Sequence, residues 1–208
     1  MRIGIVGSGM MGSTLGKLWA KAGHGVIYSS RHPEQLAGLV KETPGARAAS
    51  IEEAARDGEA LFLGVPYAAM PELAKTLAPL VEGKLVLDAG NVIGRRDGAL
   101  ADSVKAAGRG SGGWTQSLLP KARVVKAFNT VHFANLAKEA HRAGERIGVP
   151  LASDDAKALE QAAALVNDAG QEPVALGGGI AASAKFDFGS PVWNTNMTAA
   201  QVRAALGL

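Results

Sequence analysis

Two short stretches near the start of the sequence carry residue types that can bind a phosphorylated ligand. The first, Gly7-Ser8-Gly9-Met10-Met11-Gly12, has the spacing G-x-G-x-x-G, and the second is Ser29-Ser30-Arg31. In the first, Gly7 permits a sharp turn, Gly9 lets a pyrophosphate approach the backbone, and Gly12 allows close packing of a helix on a strand. The N–H groups at the start of that helix would then hold the pyrophosphate. The motif predicts a dinucleotide site, the alternative being a glycine-rich turn that binds nothing.

The second stretch concerns the choice between NAD and NADP. Dinucleotide folds that take NAD place Asp or Glu near the end of the second strand, where it binds the adenosine ribose 2′-hydroxyl. Here Ser30 and Arg31 occupy that place, after the strand-like segment Val26–Tyr28. A hydroxyl can donate to a phosphate oxygen, and a guanidinium supplies permanent charge in a fork geometry. The pair predicts a preference of about tenfold to a thousandfold for NADP(H), unless Arg31 is simply a solvated surface residue.

These stretches need a particular framework, and apolar periodicity predicts it. Strands are predicted at Ile3–Val6, Val26–Tyr28, Ala60–Val65, Leu85–Asp88, Val124–Ala127, Arg146–Pro150 and Pro173–Leu176. Helices are predicted at Met11–Ala22, Pro33–Val40, Ile51–Arg56, Met70–Ala78, Trp114–Leu119, Phe133–Ala140 and Asp154–Ala169, with Ser50 and Ser153 as N-caps. This alternation predicts an α/β, Rossmann-like doubly wound fold with a mostly parallel sheet. Gly94–Gly113 is predicted to be a long surface connection with room for one helical turn.

Length and composition favour one NADP-binding domain over residues 1–208, with a core at 1–176 and a C-terminal extension at 177–208. The extension ends in a helix predicted to start near Thr198. The chain has no cysteine, so disulfides, thiolate-bound metals and thiol nucleophiles are excluded. The net charge is +3, and the Lys and Arg residues are spread along the chain without forming a block. This distribution argues against nucleic-acid binding. We expect a cytoplasmic protein without a membrane anchor, because there is no signal-like segment or apolar run of about 18 residues.

Several oxidoreductase classes do not fit these residues. Short-chain dehydrogenases use a Tyr-x-x-x-Lys pair, but Tyr28 and Tyr67 are followed four places later by His32 and Pro71. The β-hydroxyacid dehydrogenases, imine reductases and pyrroline-carboxylate reductases add a large helical C-terminal domain that this chain is too short to hold. Zinc dehydrogenases are disfavoured without cysteine ligands.

Motifs spread over residues 1–175 resemble one family. They are Gly7–Gly12, Ser30-Arg31, Gly64–Tyr67, Asp88–Asn91, the run Val124–Val131 ("VVKAFNTV") and Val149–Asp155. Together they resemble the deazaflavin (coenzyme F420)-dependent NADP reductases, and the related cytosolic oxidoreductase domain of six-transmembrane metalloreductases. The resemblance implies NADP(H) as cofactor and hydride transfer to a small-molecule redox acceptor, either the deazaflavin coenzyme F420 or a flavin (FMN or FAD). Such transfer between stacked rings depends mainly on positioning and needs no dedicated general acid.

The resemblance and the switch-point rule for open α/β sheets place the remaining site residues after strand ends. For the cofactor side they are Val65, Pro66, Tyr67, Asn91 and Ala127, in addition to Gly7, Ser8, Gly9, Met10, Met11, Gly12, Ser30 and Arg31. Candidates for the acceptor side are Asn129, Thr130 and His132, and no catalytic residue is assigned. Tyr67 would pack on the cofactor or merely start a helix. Asn91 would bond the ribose or carboxamide or simply form a turn, and His132 would donate to the acceptor or be structural.

The C-terminal region departs from the family pattern. Phe186, Phe188 and Trp193 stand out in a chain with few aromatic residues, and they would line an acceptor pocket or a homodimer interface. Three functions stay open: a deazaflavin or flavin reductase, a reductase of a small carbonyl, imine or quinone, and a non-catalytic NADP(H) sensor.

Overall fold

A parallel sheet forms the centre of the computed structural model, which describes residues 1–208. Its strands are β1 (Arg2–Val6), β2 (Gly25–Ser29), β3 (Arg47–Ala49), β4 (Ala60–Leu63), β5 (Leu85–Asp88) and β6 (Arg123–Lys126). They lie in the order β3-β2-β1-β4-β5-β6, and every neighbouring pair is parallel. The order reverses between β1 and β4, so the crevice for a ligand lies where these two strands end. The predicted Rossmann-like fold class is therefore confirmed.

Helices cover both faces of this sheet. They are α1 (Met10–Lys21), α2 (Ala37–Lys41), α3 (Ile51–Asp57), α4 (Met70–Leu77), α5 (Gly94–Asp97), α6 (Ala99–Ala106), α7 (Gly110–Leu118), α8 (Phe133–Lys138), α9 (Ala156–Asp168) and α10 (Ala199–Leu206). Short 3₁₀ turns occupy Pro33–Leu36, Tyr67–Ala69 and Ile180–Phe186. One large apolar core centres on Trp19, whose ring meets Phe62 and Phe128 edge-on, and a second core lies on the opposite face of the sheet.

Two further strands, β7 (Gly148–Leu151) and β8 (Glu172–Ala175), form a separate parallel pair. An antiparallel bridge between Lys126 and Ala152 joins this pair to the end of β6. The C-terminal extension packs on it, since Phe186, Val192 and Val202 share an apolar cluster with Val174. The final helix begins at Thr198 as predicted, in a capping box with Gln201.

Three local predictions were wrong. The segment from Gly94 to Gly113 is helical, in α5, α6 and the first part of α7. The buried Asp97 carboxylate accepts from the Ile93 N–H (2.7 Å) and from Arg96, which stabilises the start of α5 despite the many glycines. The N-cap of α9 is Asp155, because the Ser153 hydroxyl instead donates to the Val124 carbonyl. β3 was missed because three residues carry too little periodicity. No helix here combines the length and apolar character that crossing a membrane requires.

Candidate functional site

The glycine-rich turn joins β1 to α1, as the motif predicts. Gly7 has φ 96°, a conformation that L side chains rarely adopt, and a Cβ there would lie 2.5 Å from the Gly64 carbonyl oxygen. A Cβ on Gly12 would collide with the carbonyl of Gly7. Gly9 is different, because it is the N-cap of α1 and a Cβ there would meet nothing within 4 Å. Its open side faces away from protein atoms, which leaves the helix N-terminus accessible to a phosphate group.

A cleft of about 760 Å³ runs from this turn to the end of β2. Its walls include seven of the thirteen predicted cofactor residues: Gly7, Ser8, Gly9, Ser30, Arg31, Val65 and Pro66. Val6 and Ser29 also line it. Leu36, Ile51, Ala69, Glu72, Leu73 and Thr76 complete the lining. The structure therefore brings the glycine turn and the Ser30-Arg31 pair to one cavity.

The β2 end of the cleft carries one cation, Arg31. Arg31 is exposed, and its guanidinium makes no ion pair or hydrogen bond in the structure. The Ser30 hydroxyl accepts from the His32 N–H at 3.0 Å, so its own proton remains free to donate. Ser29 is buried and its hydroxyl donates to the Ile5 carbonyl (2.8 Å), which assigns it a structural bond. With an accessible helix N-terminus at one end and free donors at the other, these residues fit NADP(H).

A smaller depression of about 180 Å³ lies beside the glycine turn, and Met11 of the G-x-G-x-x-G motif forms part of its lining. Its lining contains the predicted acceptor-side residues together with part of the C-terminal extension: Asn91, Asn129, Thr130, Val131, His132, Phe133, Trp193 and Asn194. Met10, at the other middle position of the motif, is 62 % exposed. The fold therefore gathers Asn91, Asn129, Thr130 and His132, which lie far apart in sequence.

Two amide side chains face each other beside this depression. The Asn91 Nδ2 donates to the Asn129 carbonyl at 2.8 Å, and the Asn129 Nδ2 donates to the Phe186 carbonyl at 3.0 Å. Asn129 is 4 % exposed, and its Oδ1 has no donor within the chain. An unpaired buried acceptor is costly, so this oxygen is suited to receive an N–H or O–H from a ligand.

Backbone strain directs the Asn129 loop. Phe128, fully buried against Trp19, has φ 63°, which is uncommon for a non-glycine residue and costs about 1–3 kcal/mol. Such strain at the end of a strand is typical of positions that aim a functional side chain. It turns the chain sharply after β6 and brings Asn129 back toward Asn91.

His132 is the N-cap of α8 and is exposed at the depression. Its Nδ1 accepts from the Ala134 N–H at 3.4 Å, an arrangement that assigns the ring proton of the neutral form to Nε2. Thr130 is buried, and its carbonyl accepts from the Thr195 N–H of the C-terminal extension. The imidazole therefore offers an exposed ring donor at the depression.

Three predicted contacts need correction. Tyr67 is fully buried, its ring stacks on Trp114 at 5.2 Å, and so the side chain cannot lie on a cofactor. The Ala127 side chain is also fully buried, which leaves it no surface toward a ligand. Phe186 lies in the core of its own chain, and this removes it from both an acceptor pocket and a dimer interface.

Sequence reasoning missed a buried polar cluster behind the depression. Asp88 Oδ2 accepts from Tyr67 Oη (2.6 Å), from Thr115 Oγ1 (2.7 Å) and from Lys126 Nζ (3.1 Å). Lys126 and Tyr67 are fully buried, and burial, followed by the charge of Asp88, raises the pKa of the Tyr67 phenol well above its ordinary value. The available signal was a lysine inside the apolar run "VVKAF", since buried lysines need a partner.

The exposed Phe188 and the half-buried Trp193 form an aromatic pair with ring centroids 4.5 Å apart. Trp193 lines the small depression, whereas Phe188 is 41 % exposed and borders a second cavity of about 490 Å³. The pair therefore stands between two cavities on the surface of the C-terminal extension.

The fold is of the Rossmann type, and its cleft has a glycine-rich turn and free donors that can hold a dinucleotide. Residues 2–92 match the family described as NADP oxidoreductase, coenzyme F420-dependent, which confirms the family resemblance predicted from the sequence. The chain is similar to the metalloreductase STEAP3 of Rattus norvegicus, with 28% identity over 183 residues. That alignment covers 85% of this chain and 34% of STEAP3, so the chain spans about a third of that curated relative.

Solved structures give the same fold along nearly the whole chain. A hypothetical protein, SMa0349 from Sinorhizobium meliloti, superposes with a TM-score of 0.82 at 29% identity, covering 95% of both chains. A candidate F420-dependent NADP reductase from Arthrobacter sp. FB24 has a TM-score of 0.75 at 22% identity, covering 95% of this chain and 99% of that one. At that identity the second likeness concerns the fold alone.

Proposed function

We propose that this protein uses NADPH to reduce a flat redox acceptor, a deazaflavin of the coenzyme F420 type or a flavin. The dihydronicotinamide, when bound, supplies a hydride, which leaves NADP⁺ and carries two electrons to the acceptor ring. The acceptor takes the balancing proton from solvent. The family match supports NADP use, whereas the acceptor is inferred from the residues of the depression and the extension.

One observation carries the proposal: Trp193, which is paired with Phe188, and the unpaired amide oxygen of Asn129 lie at the depression next to the glycine turn. Phe188 and Trp193 offer ring faces on which a flat acceptor can stack. Asn129 Oδ1 can accept from an amide or ring N–H, and His132 Nε2 can donate to a carbonyl. Flavins and deazaflavins have all three features, since their rings are flat and carry N–H and C=O groups.

The chain's residues would divide the work between binding and orientation. Ser30 and Arg31 would hold the 2′-phosphate, and the α1 N-terminus would hold the pyrophosphate. No buried acid or base reaches the depression, and this favours a transfer that depends on orientation and the exclusion of water. His132 is placed to bond the acceptor, which would align the ring without forming a covalent bond.

An acceptor panel tests the proposal. NADPH oxidation is followed at 340 nm with coenzyme F420, FMN, FAD, quinones, ferric chelates, and a set of small carbonyls and imines. We expect the highest kcat/KM with coenzyme F420 or a flavin. Turnover confined to carbonyls, imines or quinones would contradict the proposed acceptor, and tight NADPH binding without any turnover would favour a sensor.

Matched variants connect the result to the aromatic pair. Trp193→Ala and Phe188→Leu should raise KM for the acceptor while leaving KM for NADPH within about twofold. Leu208→Ala removes another exposed apolar side chain of the same extension and serves as the control. If Trp193→Ala instead dissociates a homodimer in sedimentation velocity without changing acceptor KM, the pair is a subunit contact.

A further inference from the structure

Polar groups at the carboxyl ends of β4 and β5 surround the ammonium group of Lys126, the last residue of β6. Its Nζ donates to Tyr67 Oη (3.0 Å), Asp88 Oδ2 (3.1 Å) and the Gly90 carbonyl (2.5 Å). An ammonium has three donors, so its hydrogen-bonding capacity is fully used. Lys126 and Tyr67 have no exposed surface, and neither side chain can touch a ligand.

The cluster fixes the peptide groups of Gly90 on both sides. The Gly90 N–H donates to Asp88 Oδ1 at 2.8 Å, while its carbonyl accepts from Lys126. A Cβ on Gly90 would collide with the ring of Tyr67, so the backbone lies directly on that ring. Position 90 is therefore held by two hydrogen bonds and one aromatic face.

The next residue is Asn91, which connects this anchor to the depression. Its side-chain amide donates to the Asn129 carbonyl, and Asn129 lies three residues after Lys126, beyond the strained Phe128. Lys126 therefore sits at the root of both loops that carry the facing amides. A shift of its ammonium would move Asn91 through Gly90, and it would move Asn129 through the end of β6.

A buried ion pair is weak evidence for stability, because apolar residues of similar volume often stabilise a protein equally well. Its fixed geometry is what distinguishes it from an apolar replacement. We propose that Lys126, Asp88 and Tyr67 are positioning residues that hold Asn91 and Asn129 in register at the depression, where Asn91 would bond the nicotinamide half of NADP(H) and Asn129 the acceptor. This inference rests on the proposed use of NADP(H).

The test compares ligands that reach different parts of the cleft. NADPH would reach from the Arg31 end of the cleft to the depression, whereas 2′,5′-ADP would occupy only the adenine end, at Arg31. Isothermal calorimetry gives Kd of both for Tyr67→Phe, Thr115→Val and the double variant Asp88→Asn/Lys126→Met. The double variant removes both charges together, so no unpaired charge stays buried, and Asn at position 88 can still accept from the Gly90 N–H.

We expect Kd for NADPH to rise about threefold to tenfold in the single variants and more in the double variant, while Kd for 2′,5′-ADP changes less than twofold. Tyr28→Phe is the matched control, since Tyr28 is the other fully buried tyrosine and its hydroxyl bonds Thr43, away from the depression. It should change neither Kd. The proposal would be overturned if affinity for NADPH and for 2′,5′-ADP fell in parallel. It would also be overturned if the folded double variant bound NADPH with an unchanged Kd.

Hydrogen exchange of the ligand-free protein separates this inference from the proposed function. The variants should speed exchange in segments 89–92 and 127–131 and leave segment 7–12 unchanged. Unchanged exchange in the first two segments would rule out positioning, whatever the protein binds. If the unaltered protein binds neither NADPH nor 2′,5′-ADP, NADP(H) use is wrong, and faster exchange would still support a positioning role for Lys126.

Discussion

At the end of β2, Arg31 stands exposed without a bonding partner, whereas at the end of β6 the ammonium of Lys126 is fully buried and has three. Both residues are cations at the carboxyl edge of one sheet. The first leaves its donors free, which suits direct contact with an anion. The second directs its donors into the protein, which suits holding other residues in place. A cation's role at such an edge therefore follows from its burial and bonding as much as from its position.

The largest expected effect lies at the exposed end. Arg31→Glu replaces a free guanidinium with a carboxylate that repels a 2′-phosphate and can accept from a ribose diol. Kd for NADPH should rise by about tenfold to a thousandfold, while Kd for NADH stays the same or falls. Calorimetry with both dinucleotides measures the change. Arg203→Glu, the same charge reversal on the exposed face of α10, should leave both constants unchanged, and equal losses in the two variants would contradict a specific role for Arg31.

The glycine turn offers a smaller contrast between binding and folding. Gly9→Ala places a methyl group in open space at an ordinary φ of −72°, so the free energy of unfolding should hold while Kd for NADPH rises by about tenfold or more. Gly12→Ala forces a methyl group against the Gly7 carbonyl and should cost about 1–3 kcal/mol of stability. Urea unfolding and NADPH titration separate the two. If Gly9→Ala binds NADPH normally, the pyrophosphate does not approach position 9.

The smallest effect concerns the two buried tyrosines, one at each end of the site. Burial raises the pKa of Tyr28, and burial together with Asp88 raises the pKa of Tyr67 well above the ordinary value. A raised phenol pKa favours the neutral folded form, so this contribution to stability is present below about pH 10 and is lost as pH rises further.

Absorbance at 295 nm checks this expectation. At pH 10 the native protein should contain less tyrosinate than free phenols would, and the Tyr67 signal should appear only together with unfolding. Tyr28→Phe should leave that late transition in place, whereas Tyr67→Phe should remove it. A tyrosinate signal near pH 10 in folded Tyr28→Phe would show that the polar cluster is open to water.

Most strands of the sheet, the glycine turn and the Ser30-Arg31 pair after β2 were predictable, because each depends on a local sequence pattern. Ile3–Val6, the G-x-G-x-x-G spacing and Ser30-Arg31 carry their meaning within a few residues. The Lys126 cluster was not predictable in this way, since it joins residues from four separate segments. Tyr67 illustrates the limit: its position after β4 is correct, but its orientation depends on Asp88, Thr115 and Trp114, which lie far along the chain.

The prediction for the segment after Gly94 was wrong for a related reason. Glycines are poor helix formers, and Gly110, Gly112 and Gly113 lowered the expectation of a helix. In the fold, Cβ atoms on Gly110 and Gly112 would collide with Ser183, Ala184 and Ile180, so tertiary contact with the extension requires their absence.

The absence of side chains on that face of α7 limits how the C-terminal extension can change. The Ile180–Phe186 turn seats directly on glycine backbone, and the Asp187 carboxylate is bonded to the Ser111 N–H and hydroxyl. Exchange of the C-terminal extension alone, by recombination or by design, would therefore place different side chains against a surface that fits only the present ones. Substitutions in the Ile180–Asp187 segment should be accompanied by substitutions in α7, whatever ligand the extension contacts.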